Sequence, residues 1–144
     1  MNKKIVGITC STFDLLHTGH VLMLEECKNY CDFLICALQN DPTIDRQQKN
    51  KPVQSLFERY IQLESVKYVD KVIPYNTESD LEDIFNSLNI DVRIIGVEYK
   101  DMDFTAKEIC VKRNISIVYN SRDHSFSTTN LRKKIHKLEN KVDD

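Results

Sequence analysis

The chain's 144 residues suffice for one compact core and fall short of two, and its 41% hydrophobic and 29% charged content is that of an ordinary globular domain. A formal net charge of −2 gives no general attraction to nucleic acid or to an anionic membrane, so any anion site has to be built locally. No run approaches the roughly 20 apolar residues of a membrane span, and the apolar stretch after Lys3-Lys4 is too short for a secretory signal; a cytoplasmic protein without nucleic-acid or membrane partners is expected.

Strand-like segments alternate with helical patterns. Ile5 to Ile8 is a short apolar run, and Thr18 to about Asn29 follows with Val21, Leu24 and Cys27 or Lys28 at helical spacing. Phe33 to Leu38 reads as the second strand, and a long polar loop from Asn40 to Pro52 leads to a helix over Gln54 to Lys67. Next come a strand at Val72 to Tyr75 and a helix over Glu78 to Leu88, whose acidic start suits the helix dipole. Val92 to Gly96 and Ser116 to Tyr119 are strands flanking a helix over Phe104 to Arg113, and a basic helix opens near Ser127-Thr128-Thr129. The polar tail Glu139 to Asp144 is expected to fray.

This alternation predicts an α/β fold: a single doubly wound, Rossmann-like five-stranded parallel sheet with helices on both faces, formed by residues 1–144 as one domain. Ligands of such sheets bind at the carboxyl ends of the strands, where the strand order reverses. That rule gathers Cys10 to His20, Gln39 to Lys51, Gly96 to Tyr99 and Asn120 to Thr129, the segments holding the chain's polar, glycine, histidine and lysine irregularities. Cys10, Cys27, Cys31, Cys36 and Cys110 are scattered through apolar stretches and read as small buried hydrophobes. Cys27 and Cys31 lie four apart on a helix, but no CxxC pair and no nearby histidine completes a metal set.

The chemistry concentrates in Phe13-Asp14-Leu15-Leu16-His17-Thr18-Gly19-His20, where a strand hands over to a helix. Taken alone, the two imidazoles support three readings. They can cap the helix, or form a metal pair for which Asp14 is the nearby third ligand. They can also donate to a phosphate chain beside the helix-start amides and the positive dipole end, with Gly19 allowing close backbone approach. The whole frame of strand, Thr-Phe-Asp, two leucines, His-x-Gly-His and helix favours a nucleoside triphosphate.

Ser11-Thr12-Phe13-Asp14-Leu15-Leu16-His17-Thr18-Gly19-His20 resembles the (G)-T-F-D-x-x-H-x-G-H signature of the cytidylyltransferase-like nucleotidyltransferases. Arg122-Asp123-His124-Ser125-Phe126-Ser127-Thr128-Thr129 is similar to the family's R-T-x-G-I-S-T-T, and Lys67-Tyr68-Val69-Asp70-Lys71-Val72-Ile73 to its R-Y-V-D-x-V-I. The resemblance runs from about Ile5 to Ile135 and, with no flanking domain, looks most like the bacterial members that act on glycerol 3-phosphate.

The resemblance implies transfer of CMP from CTP to a small phosphorylated acceptor, with Mg²⁺ arriving on the nucleotide, no confident protein metal ligand, and a homodimer. His17, His20, Lys49, Lys51 and Arg122 are implied as catalytic. Thr12, Phe13, Asp14, Gly19 and Asp41 are implied as nucleotide-binding, as are Gly96, Glu98, Tyr99, Ser127 and Thr128. Arg59 and Lys67 are implied at the acceptor, Lys67 without the bidentate fork of the family's arginine. Capping remains open for Ser127 and Thr128, a turn role for Asp41, and packing for Tyr99. Ser11, Lys67, Asp123, Ser125 and Phe126 depart from the motifs. Two other readings stand beside CTP transfer: an adenylyltransferase for a sugar phosphate or flavin mononucleotide, and a nucleotide-binding protein without turnover. Removing either imidazole is expected to slow turnover and leave folding little changed.

Overall fold

A computed structural model describes residues 3–121 and 126–143. Five parallel strands, β1 (Val6–Ser11), β2 (Phe33–Gln39), β3 (Lys71–Tyr75), β4 (Val92–Gly96) and β5 (Ser116–Asn120), form one sheet in the order β3-β2-β1-β4-β5. The chain leaves β1 for β2 and β3 on one side and returns to β4 on the other. The order therefore reverses between β1 and β4, where the expected crevice lies.

The helices are α1 (Thr18–Cys27), α2 (Leu56–Glu64), α3 (Glu78–Ser87), α4 (Lys107–Lys112) and α5 (Thr128–Glu139). Strand alternation splits the core into two layers. Leu34, Cys36, Leu38, Val92 and Ile94 pack with Leu24 of α1 and Leu63 of α2. Ile8, Ile35 and Ala37 pack on the opposite face with Leu81 and Phe85 of α3 and Cys110 of α4. Gly7 is fixed by packing: a Cβ there would stand 2.7 Å from Cys31 Sγ.

Every expected strand and helix is present, and the differences lie at the ends. β1 continues three residues beyond Ile8, because Thr9, Cys10 and Ser11 stay in register with Cys36, Ala37 and Leu38 although they are not strongly apolar. α2 starts later than its pattern suggested because Ser55 and Glu58 close a capping box. α4 begins only at Lys107, after Ala106 adopts φ 68°. Beyond α5 the backbone makes a 3₁₀ turn over Asn140–Asp143. Among the described residues, no helix is long and apolar enough to cross a membrane.

Candidate active site

The turn after β1 is tight. Phe13 (φ 48°) and Leu15 (φ 51°) both take the left-handed region, which costs a side-chain-bearing residue about 1 kcal/mol or more. Phe13 is buried in the layer under α1 and α2, and Asp14, only 3% exposed, accepts from the amides of Val53 (2.9 Å) and Gln54 (3.0 Å). The Leu15 amide in turn donates to Gln54 Oε1 at 2.8 Å. The turn is thus stitched to the end of the lysine-bearing loop.

This geometry delivers the two imidazoles. His17 is the N-cap of α1: its Nδ1 accepts from the Gly19 amide at 3.0 Å, while His20 Nδ1 accepts from the His17 amide at 3.2 Å. This reciprocal pair is a capping box in which imidazoles replace the usual hydroxyl and carboxylate. A ring nitrogen that accepts an amide hydrogen carries none itself, so the neutral rings bear their protons on Nε2. The rings stack with centroids 3.9 Å apart. His17 Nε2 lies 3.3 Å from Thr128 Oγ1, which donates to the Asp14 carbonyl at 3.1 Å and so accepts from the imidazole. The capping box adds a folding term to the expectation that folding is little changed when an imidazole is removed: loss of the His17 N-cap should destabilise α1 by about 0.5–2 kcal/mol.

α5 closes the site from the far end of the chain. Ser127 is its N-cap, accepting from the Asn130 amide at 3.0 Å, which is the capping role left open for it. Four residues beyond Thr128, Arg132 donates from Nη2 to Asp14 Oδ2 at 2.7 Å and to the Lys51 carbonyl at 3.3 Å. Burial pushes the Asp14 carboxyl up, but the Val53 and Gln54 amides and the Arg132 guanidinium more than reverse this and hold it below its ordinary value.

Two adjoining cavities open at the carboxyl ends of β1 and β4. The larger, about 490 Å³, is lined by His17, Gly19 and His20 on one side and by Gly96, Ser127 and Thr128 on another. The smaller, about 330 Å³, reaches Gln39, Arg46, Glu78 and Arg132. Thr12, Lys49, Tyr99 and Thr128 belong to both, and Asp14 lines the smaller.

Other expected site residues lie elsewhere. Lys51 lines neither cavity and meets the site through its carbonyl. Asp41 accepts from the Thr43 amide (3.0 Å) and hydroxyl (2.6 Å), the turn role left open for it. Arg59 is 2% exposed and donates to the carbonyls of Gln54, Thr12, Gln39 and Asn40 rather than into a cavity. Lys67 sits before the amino end of β3, its ammonium 5.2 Å from the Tyr68 ring centroid, whereas the cavities open at the carboxyl ends of the strands. Glu98 packs its carboxyl against Gly96, where a Cβ would meet it at 2.4 Å. Arg122 lies outside the described residues, as do Asp123, His124 and Ser125 of the same motif.

Three residues were not anticipated. Arg132 was hidden in a basic helix, although its spacing from Thr128 places both on one face. Arg93, 4% exposed, lines both cavities, and a charge inside an apolar strand was a signal available in the sequence. Glu78 was seen only as a helix start, but it accepts from Arg46 at 3.0 Å and Gln39 at 3.2 Å. Burial pushes the Cys10 thiol up to about 11, so it is protonated at neutral pH and is no nucleophile. Among the described residues, no group of three or more His, Cys, Asp and Glu side chains converges on a metal position.

Residues 8–134 match the cytidylyltransferase-like family. The chain is 37% identical over 134 residues to glycerol-3-phosphate cytidylyltransferase of Bacillus subtilis (strain 168), covering 92% of this chain and 97% of that one. It is 32% identical over 115 residues to FAD synthase of Thermococcus sibiricus, covering 79% and 77%. Among solved structures, a lipopolysaccharide core biosynthesis protein from Thermoplasma volcanium superposes with a TM-score of 0.70 at 25% identity, over 85% of this chain and 100% of that one. A crevice at the reversal of a parallel sheet, imidazoles at one helix start and a serine and threonine at another therefore stand in a chain that belongs to the cytidylyltransferase-like family of nucleotidyltransferases.

Proposed function

We propose that the protein transfers CMP from CTP to glycerol 3-phosphate, giving CDP-glycerol and pyrophosphate. The observation that carries this reading is the convergence of both imidazoles and the α5 start on one cavity of about 490 Å³. In that cavity, imidazole Nε2–H groups and the starts of α1 and α5 are donors suited to a triphosphate. An oxygen of the acceptor phosphate attacks the α-phosphorus, the bond to the bridging oxygen breaks, and pyrophosphate leaves opposite the attack. No enzyme nucleophile takes part, so the protein orients and neutralises.

In this reading His17 and His20 hydrogen-bond the phosphoryl oxygens, Lys49, which lines both cavities, neutralises charge where the nucleotide's phosphates meet the incoming acceptor, and the start of α5 at Ser127 and Thr128 adds hydroxyl and amide donors. Lys51 and Arg122 are proposed to join them when nucleotide is bound, and Gly96, Glu98 and Tyr99 to flank the ribose or base. Mg²⁺ would arrive with the nucleotide and would offset the charge of its phosphates. A homodimer, which the family resemblance implies, belongs to the same proposal.

The resemblance to FAD synthase supports a second reading, adenylyl transfer from ATP. Pyrophosphate release with Mg²⁺ and glycerol 3-phosphate, with CTP and ATP in parallel, tests both. Release requiring CTP and acceptor together is expected. Release with ATP alone replaces the nucleotide assignment, and nucleotide binding without turnover on any phosphate ester overturns the enzyme.

A further inference from the structure

β4 buries a charge among apolar neighbours. Val92 and Ile94 face the α1 and α2 layer, so alternation turns Arg93 toward α3 and α4. Its guanidinium lies 4.7 Å from the Phe85 ring centroid and 4.8 Å from that of Phe104, and Nη1 donates to the Thr105 carbonyl. Among the described residues, no carboxylate pairs with it. The acidic groups of the smaller cavity are committed elsewhere, Glu78 to Arg46 and Gln39, and Asp14 to Arg132. A buried guanidinium without a counter-charge is costly, and ring faces offset only part of that cost. Lys49 is likewise without an ion pair among the described residues, and like Arg93 it lines both cavities. Arg46 adds a buried Nε with no hydrogen-bond partner in the smaller cavity.

Two cations without ion pairs among the described residues thus line both cavities and suit an anion where those cavities adjoin. We propose that Arg93 and Lys49 anchor the phosphate of the acceptor there, and that its far end occupies the smaller cavity against Arg46, Glu78 and Gln39. This assignment rests on the transferase reading, which requires the attacking phosphate beside the α-phosphate. It moves acceptor recognition from Arg59 and Lys67, which point elsewhere, to residues of this chain that line the cavity. The far end is a polyol. Glu78 accepts from hydroxyls while Arg46 and Gln39 donate to them, and guanidinium-rich walls repel a cationic head group.

The test uses Arg93→Met, which keeps length without charge, and Arg93→Lys, which keeps charge. Pyrophosphate release gives separate KM values for CTP and glycerol 3-phosphate. Calorimetry of glycerol 3-phosphate, with a non-hydrolysable CTP analogue present, gives acceptor binding without turnover. Arg93→Met should weaken the acceptor about 10- to 100-fold, as loss of a charge-assisted hydrogen bond does, and change the CTP constant by about twofold or less. Arg93→Lys should recover part of the affinity, and Glu78→Gln, which leaves a weaker hydroxyl acceptor, should narrow the preference for glycerol 3-phosphate over n-propyl phosphate, which lacks both hydroxyls.

Equal losses for nucleotide and acceptor, or a lower Tm with acceptor binding intact, would make Arg93 a structural residue and overturn the proposal. So would a wild-type protein that binds no phosphate ester. A wild type that binds the ester through Arg93 yet never turns over would sink the transferase reading and leave the anchor standing.

Discussion

At the scale of single residues, His17 and His20 each do two jobs with one ring. Nδ1 is tied to a backbone amide, which fixes the tautomer and aims Nε2–H as a donor, so the capping box prepares the chemistry it adjoins. The two jobs separate by substitution. His17→Ala removes both and should lower stability by about 1 kcal/mol together with turnover by on the order of 100-fold or more. His17→Asn restores an N-cap acceptor but supplies no donor at the Nε2 position. It should melt near the wild-type temperature and lose turnover as severely. Thermal melts beside pyrophosphate release distinguish the outcomes, and a His17→Asn enzyme of near-native rate would remove the imidazole from the chemistry. The pair was legible in the sequence because two histidines around a glycine at a strand-to-helix junction are unusual. Capping was among the readings the sequence allowed, but that each ring caps through Nδ1 and so carries its proton on Nε2 was not legible, since it depends on ring orientation.

At the scale of elements, α2 is fastened to the loops it serves through Arg59. The guanidinium reaches Thr12 after β1 at 3.0 Å, and Gln39 and Asn40 at the end of β2 at 2.6 Å each. Burial lowers the Arg59 pKa, and the negative charges of Asp14 and Asp41 only partly restore it, yet an arginine stays charged at any working pH. Arg59→Met would leave four carbonyls, those of Gln54, Thr12, Gln39 and Asn40, without this donor and should cost about 2–4 kcal/mol, near 1 kcal/mol for each lost bond. Denaturant midpoints would measure this, and a shift under about 0.5 kcal/mol, typical of surface positions, would show that water replaces the guanidinium. The sequence displayed α2 well, through Leu56, Tyr60 and Leu63, and all five strands, through apolar runs. It did not display what α2 holds, because a carbonyl partner leaves no mark on composition. For the same reason Arg59 was assigned to a substrate and Arg132 was overlooked. Motif likeness finds residues that touch ligands more readily than residues that hold the backbone around them.

At the scale of the whole molecule, a contact across 118 residues joins the start of the chain to its end: Arg132 of α5 grips Asp14 after β1 and, through the Lys51 carbonyl, the lysine loop as well. The three segments that close the crevice are thereby held as one wall, and Thr128 beside His17 is placed by the same helix. The clasp should depend on pH in a definite direction. Asp14 titrates below its ordinary value in the folded protein, so the unfolded chain takes up its proton first as the solution is acidified. Its stabilisation is complete above the unfolded value of about 4 and disappears as pH falls through the lower folded value. Arg132→Met removes one of the interactions that depress the folded value. At neutral pH the variant should be less stable by about 1–3 kcal/mol, the worth of a hydrogen bond to a charged group. Below about pH 4 the difference from wild type should shrink. Denaturant unfolding of both proteins across that range tests the assignment. A gap that stays constant on acidification would mean that Arg132 contributes packing alone, and that α5 is held over the crevice by something other than its charge on Asp14.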